Sequence, residues 1–418
     1  MTYNQAIDYI NSFTKSGAPV TDLNRFRTLA AALGDPQDKL RFVHVAGTNG
    51  KGSLCEYISC GLMGAGFKTG KFTSPYITRL EERFQLDNVQ IGADRLAYCC
   101  GQVAKAAEET GRRDYSQFEI LTAMAFLYYL EEKADIVVLE TGIGGTLDCT
   151  NIITPLLSVI TTVHIDHRQI LGDTVEAIAS HKAGIIKPNV PVAVSPCQQA
   201  AVTDILKARA KELGSPFIMA QDGDFTVKAT SLEGTEFTYK GRSYRTAMGG
   251  AHQAVNAVCA VDALSELEVI LDRRIDIAAA MNARLPARME LIHGKGGTWL
   301  VDGGHNVNGA DAAKALLEKD SRTKAVIIGM MANKDYEAVF ERLLPLAKTV
   351  IAVDGFAEGT VPAHEIAQAA ARLGVPCKTA SSVEQAVSLV LESGAELNCV
   401  MGSLYLAASA RRLILPLD

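Results

Sequence analysis

At 418 residues, the chain is long enough for two or more domains with a substantial core. Hydrophobic residues make up 48% and the net charge is −6, a globular balance that argues against a nucleic-acid binder held by charge. The longest apolar stretches, such as Ile136–Leu139, are strand-sized, so no membrane-spanning helix is expected. Met1–Gln5 lacks the basic and apolar regions of a signal peptide, and nine scattered cysteines without a C-x-x-C pair read as reduced thiols of a cytoplasmic protein with no zinc site.

Residues 2–33 are helical in pattern, with a break at Gly17-Ala-Pro19. Leu23, Phe26, Leu29, Ala30 and Leu33 recur at helical spacing, and Gly34-Asp-Pro36 ends the run. Arg41–Ser53 is the stretch on which the reading turns. Phe42, Val43 and Val45 predict a short buried strand, Gly47–Gly52 a glycine-rich turn, and Leu54–Met63 a helix with Leu54, Ile58 and Leu62 on one face. Strand, glycine turn and helix together make a phosphate cradle: glycines let the backbone approach, N–H groups point inward, and the helix start favours negative charge. Lys51 is placed to reach terminal phosphates and Ser53 to ligate Mg²⁺, although Gly52 intervenes between them where the usual loop has Ser or Thr directly after Lys.

Lys71–Tyr76 predicts a strand stopped by Pro75, with Ser74 at its carboxyl end, where open α/β sheets bind ligands. Arg79, Glu82 and Arg83 read as a solvated charged face. Helices are expected over 93–111 and 117–131. Ala134–Leu139 predicts a central parallel strand. It ends in Glu140-Thr-Gly-Ile-Gly-Gly145, and a carboxylate at that position suits Mg²⁺. Leu156–Val163 is another strand, followed by His164-Ile-Asp-His167. Here His167 is a candidate metal contact and His164 a structural residue. Asp173-Thr-Val-Glu176 resembles a capping box with Asp173 as N-cap, opening a helix that carries Lys182 in its last turn, where a cation suits the dipole. Val190–Ser195 is a strand, 200–213 a helix, 217–245 a small antiparallel meander, and Gly249–Leu267 a helix with His252, Gln253 and Asn256 near its start.

A boundary fits near 285–297, after which the alternation restarts. Trp299–Asp302 is a strand, Gly303–Asn306 a turn, Ala310–Leu317 a helix, and 325–329, 349–353, 375–378 and 398–402 are further strands. The expectation is an α/β protein. Residues 1–287 form a phosphate-loop domain with a mostly parallel sheet, and 296–418 a smaller Rossmann-like α/β domain.

The wording Gly47-Thr-Asn-Gly-Lys-Gly-Ser53 resembles the folylpolyglutamate synthase and dihydrofolate synthase family of the Mur ligase superfamily. Asp166-His-x-x-x-Leu171-Gly, Lys182-Ala-Gly-Ile-Ile-Lys187, Gly250-Ala-His-Gln-x-x-Asn256, Pro286-Ala-Arg-Met-Glu290, Asp302-Gly-Gly-His-Asn306 and Gly402-Ser-Leu-Tyr405 are similar to its further signatures, in the family order. The resemblance implies an ATP-dependent acid–amino-acid ligase that phosphorylates a folate carboxylate and lets L-glutamate displace the phosphate. Carried over, Asn49, Gly50, Lys51, Gly52 and Ser53 hold the ATP phosphates, and Asn256, Arg288 and Asp302 contact nucleotide. Ser53, Ser74 and Glu140 hold one Mg²⁺, and His167 helps hold a second. Lys182 matches a carbamylated lysine, His305 and Ser403 lie near the glutamate and acyl phosphate, and Asp22, Phe118, Glu119 and Asp148 serve the pterin side. The implied partners are small molecules (ATP, L-glutamate, and folate or dihydropteroate), with no nucleic acid or membrane, for a cytoplasmic monomer. Tyr76, Thr146 and Asn333 depart from the family's frequent histidine, arginine and aspartate. The competing readings are a Mur-type ligase with a non-folate acceptor and a nucleotide-binding module without catalysis.

Overall fold

The computed structural model describes residues 1–14, 21–221 and 223–415; the expected break at Gly17-Ala-Pro19 lies outside them. They fall into two compact units, Met1–Phe225 with Val255–Ala283, and Thr226–Ala254 with Arg284–Asp418.

The first unit is built on eight strands: β1 (Phe42–Ala46), β2 (Thr69–Phe72), β3 (Phe84–Leu86), β4 (Val89–Gln90), β5 (Ile136–Glu140), β6 (Leu157–Ile160), β7 (Val192–Val194) and β8 (Phe217–Ile218). Their order is β4-β3-β2-β5-β1-β6-β7-β8. From β2 to β8 all neighbours run parallel, while β3 and β4 add an antiparallel hairpin at one edge. Every residue of β1 and β5 is buried. That is why their sequences are continuous apolar runs: helices cover both faces, and no face is left for polar alternation. β1 sits between β5 and β6, and the chain leaves it first toward β2 and later toward β6. The carboxyl end of β1 is therefore the topological switch point, where an open parallel sheet leaves a crevice. Val45 lies opposite Glu140, so the phosphate-loop strand and the Glu140 strand end side by side.

One face carries the helices Asn24–Ala32, Ala93–Glu109 and Gln117–Glu131, whose core includes Phe26, Phe42 and Phe126. Phe42 and Phe126 meet edge to face at 5.5 Å, a geometry that the ring quadrupoles favour. The helix Lys51–Gly64 packs closely elsewhere because Gly61 and Gly64, two of its three glycines, offer no side chain at the contact. A Cβ on Gly61 would lie 2.8 Å from Leu264, and one on Gly64 would lie 2.6 Å from Ala279.

The structure departs from the sequence pattern at two places around the large sheet. The helix bearing Lys182 begins at Val175, and its cap is Thr174, whose hydroxyl accepts from the Ala177 N–H, so Asp173 lies one residue outside the cap. Phe217–Ile218 pairs parallel with β7 in the large sheet, which leaves only β9 (Phe225–Ser231), β10 (Gly234–Tyr239) and β11 (Arg242–Thr246) in the meander. Most of that meander packs within the second unit.

The second unit has a six-stranded sheet of β12 (Glu290–Gly294), β13 (Gly297–Val301), β14 (Lys324–Ile328), β15 (Thr349–Val353), β16 (Cys377–Ala380) and β17 (Leu397–Met401), in the order β12-β13-β17-β14-β15-β16. All pairs are parallel except the β12–β13 hairpin. The β16 strand starts two residues later than the expected 375: the turn lies at Leu373–Gly374, and Pro376 accepts from the Val350 N–H but has no N–H of its own to donate. The chain is thus an α/β protein with a large, mostly parallel sheet and a second α/β sheet, as expected.

Candidate active site

In the first unit the site grows from the end of β1. Gly47 has φ of +151°, and a Cβ there would fall 1.7 Å from the Thr161 hydroxyl, so no other residue fits. The Thr48 and Asn49 N–H groups donate to the Thr162 carbonyl at 2.9 and 3.3 Å, and the Thr48 hydroxyl donates to the His164 carbonyl at 3.1 Å. These bonds lash the loop to the segment after β6. Gly50, with φ of +92°, then turns the chain into the helix Lys51–Gly64, which has no side-chain cap. The first-turn N–H groups of this helix have no partner within it and form a ready anion site. A Cβ on Gly50 would lie 2.5 Å from the Asn256 Oδ1, so the structure brings Asn256 against the loop.

Two ammonium groups converge on one carbonyl. Lys51 Nζ lies 3.2 Å and Lys182 Nζ 2.7 Å from the Gly47 oxygen. Lys51 Nζ is also 3.9 Å from Glu140 Oε1, while Glu140 Oε2 accepts from the Ser74 N–H at 2.8 Å. Lys182 is almost fully buried, at 3% exposure. Burial, then repulsion from Lys51, brings its ammonium down to about 7 against the pull of Asp166 and Asp148.

The helix end that carries Lys182 is fixed by contacts the sequence did not reveal. The Thr146 N–H and hydroxyl donate to the His181 carbonyl at 2.8 and 3.0 Å, and Asn151 Nδ2 bridges the Thr146 and Gly184 carbonyls at 3.1 Å each. A Cβ on Gly145 would lie 2.6 Å from the His181 oxygen, and one on Gly184 would lie 2.1 Å from the Thr146 hydroxyl. The glycines of Glu140–Gly145 were thus a readable sign of close backbone approach, but the sequence did not say to what.

Ser53, Ser74 and Glu140 lie on the phosphate-loop helix, beyond β2 and at the end of β5 respectively. Among the described residues no three His, Cys, Asp or Glu side chains gather as a metal cage. A hydroxyl-and-carboxylate set fits Mg²⁺, which keeps its waters and takes one or two carboxylates plus substrate phosphates. His167 is exposed, with a left-handed backbone at φ of 49° and its ring 3.7 Å from Asp166.

The residues expected on the pterin side are only partly gathered. Phe118 stands against Gly142, whose Cβ would lie 2.6 Å away, and 5.9 Å from the Phe72 ring. Asp148 is buried, accepting from the Ile143 N–H, the Thr150 N–H and the Thr150 hydroxyl, which in turn meets His44 at 2.9 Å; burial pushes its carboxyl up despite these bonds. Glu119 is buried against Arg25 and accepts from Ser116, so it serves as an internal ion pair and helix cap. Asp22 is exposed and accepts from the Asn24 N–H ahead of a helix.

The second unit has its own cluster at the carboxyl ends of β13 and β17. Asp302 accepts from the Met289 N–H at 3.0 Å and the Gly304 N–H at 3.1 Å. Arg288 lies between Ala287 and Met289, both left-handed at φ of 52° and 48°. Such non-glycine conformations cost energy and persist where the surroundings over-determine them; here the Asp302 carboxylate and the Ala287 N–H bond to Glu290 do so. His305 Nδ1 lies 3.2 Å from the Gly303 carbonyl. Ser403 is buried and caps the helix Leu404–Ile414 by accepting from the Tyr405 N–H.

Comparison with known proteins matches residues 45–264 to the Mur ligase middle domain and residues 287–404 to the Mur ligase, glutamate ligase domain. The folylpolyglutamate synthase of Lacticaseibacillus casei is 33% identical over 434 residues, covering 99% of each chain. The dihydrofolate synthase/folylpolyglutamate synthase of Bacillus subtilis is 34% identical over 365 residues, covering 83% of this chain and 84% of the relative. A solved FPGS–AMPPCP–folate complex superposes with a TM-score of 0.82 at 30% identity over 99% of both chains.

The geometry at Gly50 yields a test. Gly50→Ala forces a side chain into φ of +92° and onto the Asn256 amide. The strain of about 1–3 kcal/mol should weaken binding of a non-hydrolysable ATP analogue by one to two orders of magnitude while the thermal transition persists, as titration calorimetry and a melt would report.

Proposed function

The chain belongs to the folylpolyglutamate synthase and dihydrofolate synthase family of the Mur ligases, and from that premise we propose how its own residues carry the reaction. It is an ATP-dependent ligase that joins L-glutamate to a folate. The γ-phosphoryl group of ATP passes to the folate carboxylate, giving an acyl phosphate. The glutamate amine then attacks the acyl carbon, the C–N bond forms, and inorganic phosphate leaves with the electron pair of the broken C–O bond.

The observation that carries this reading is the convergence of Lys51 and Lys182 on the Gly47 carbonyl beside Glu140. Phosphoryl transfer between two anions needs fixed positive charge more than covalent help; Lys51 supplies that charge, and Lys182 beside it has the separate role given below. Lys51 and the N–H groups of Gly50, Gly52 and Ser53 cradle the phosphates, with Asn49, whose own N–H is held by the Thr162 carbonyl, at the edge of the loop. Ser53, Ser74 and Glu140 would hold one Mg²⁺ and His167 would help hold a second; bound there, the ions would supply neutralisation of charge on the transferring group. Asn256, Arg288 and Asp302 bind the nucleotide, while His305 and Ser403 orient glutamate and the acyl phosphate. Phe118 and Asp148 form the acceptor side, with Asp22 at its edge and Glu119 acting through its ion pair with Arg25 at the start of the helix that carries Phe118. Residues 1–287 act as the ATP- and acceptor-binding domain and 296–418 as the glutamate-ligase domain. The enzyme works as a cytoplasmic monomer on small molecules. No helix of the described residues is long and apolar enough to cross a membrane.

Lys182 works as a carbamate. Its amine is neutral above about 7 because burial and Lys51 disfavour the ammonium. A neutral amine attacks CO2, forming an N–C bond and releasing a proton. The product is anionic, so it turns repulsion from Lys51 into attraction. The sign follows: at fixed dissolved CO2 the carbamate fraction rises as pH rises through about 7. NMR with labelled CO2 reads it directly, and a signal that is absent, or that survives unchanged in Lys182→Ala, contradicts the assignment. The same variant should lose about 100-fold or more of its turnover and recover part of it with short carboxylic acids.

The activity itself is tested by ADP release from Mg²⁺-ATP, which should require L-glutamate and tetrahydrofolate together. A relative bearing both activities favours dihydropteroate as a second acceptor, so ADP release with dihydropteroate would mark a bifunctional enzyme. Release that ignores glutamate, or none with either acceptor in protein that still binds ATP, would refute the folate assignment.

A further inference from the structure

A buried ion pair that the reaction does not use joins the two elements that carry the serines assigned to magnesium. Lys71, on β2, and Glu56, on the phosphate-loop helix, meet at 2.5 Å, and both are nearly inaccessible, at 3% and 7% exposure. Lys71 Nζ also donates to Asn88 Oδ1 at 2.7 Å. The Cys60 thiol lies 3.7 Å from the other Glu56 oxygen; burial, then Glu56, pushes that thiol up to about 11, so it stays protonated and donates. The group is therefore satisfied on both sides rather than simply trapped.

Position gives the pair its meaning. Ser53 precedes Glu56 by three residues, so both lie on one face of the helix. Ser74 follows Lys71 by three residues, just past the end of β2. A helix packed on a strand by apolar contacts alone tolerates small slides. One residue of slip is about 1.5 Å, more than an octahedral Mg²⁺ site with ligands at about 2.0–2.1 Å accepts. Hydrophobic residues would hold the two elements together as firmly as a buried ion pair does, which adds little net stability. What the ionic contact adds is a single register.

We propose that the buried Glu56–Lys71 pair is a positioning device that fixes the phosphate-loop helix against β2 and so sets the spacing of Ser53 and Ser74 for magnesium. The inference rests on the assignment of those serines above. Glu56 and Lys71 touch neither phosphate nor metal in this account and act only through the elements they join.

The test measures the Mg²⁺ concentration for half-maximal binding of a non-hydrolysable ATP analogue, together with analogue affinity without Mg²⁺ and a thermal melt. It compares the wild-type chain with Glu56→Gln, Lys71→Met and the double variant, which leaves no unpaired buried charge and carries the test if a single variant does not fold. Removing partners that orient metal ligands costs about 10–100-fold in metal affinity. The expected result is a rise of about tenfold or more in the Mg²⁺ requirement of the folded variants, with metal-free analogue affinity within about twofold of wild type. A lowered melting temperature with an unchanged Mg²⁺ requirement would show a merely structural pair and overturn the proposal. A wild-type chain whose analogue binding ignores Mg²⁺ would instead overturn the metal assignment itself, and the proposal with it.

Discussion

The site of the first unit depends on one carbonyl. Gly47 ends the central strand of the large sheet, and its backbone lies so close to Thr161 that no side chain can stand there. Its oxygen receives both Lys51 and Lys182, residues 131 positions apart in sequence that only the fold brings together. Two like charges at one acceptor would repel if both were fully charged. The protein resolves this by burying Lys182 until its ammonium is only marginally stable near neutrality. A lysine in that state is poised for chemistry.

The surroundings of that carbonyl follow from sheet topology. Parallel register sets Val45 against Glu140, so the carboxylate at the end of β5 arrives beside the phosphate loop. The second unit uses the same device: Asp302 and Ser403 follow the neighbouring strands β13 and β17, where Val301 lies opposite Val400. There the carboxylate holds backbone, accepting from Met289 and Gly304, and keeps Arg288 between two left-handed residues. In both units the candidate residues sit where central strands end, because the strands β1, β5 and β17 are themselves fully buried.

Much of this was legible in the sequence because the signals are local. The apolar runs of β1 and β5, the helix 117–131 and the glycine turn after Ala46 each declare themselves within a few residues. The missed features depend on partners far along the chain. Glu119 is expected on the pterin side, yet Arg25, 94 residues earlier, holds it in a buried ion pair. Glu56 and Lys71 look like ordinary charges on a helix and a strand until packing buries them together. The clamp of Asn151 on Thr146 and Gly184 joins two loops. Asp173 and Thr174 are both capable caps, and only the chain's entry angle chooses between them. Phe217–Ile218 looks like the start of the meander because two residues carry no signal of which sheet they join.

The central claim is that this site moves phosphate from ATP onto the folate carboxylate before glutamate arrives at the acyl carbon. The direct measurement uses folate labelled with heavy oxygen in its terminal carboxylate, turned over with Mg²⁺-ATP and L-glutamate, followed by mass analysis of the phosphate released. The account predicts one labelled oxygen in inorganic phosphate for each amide bond formed, with ADP as co-product. Unlabelled phosphate, or AMP and pyrophosphate in place of ADP, would contradict it.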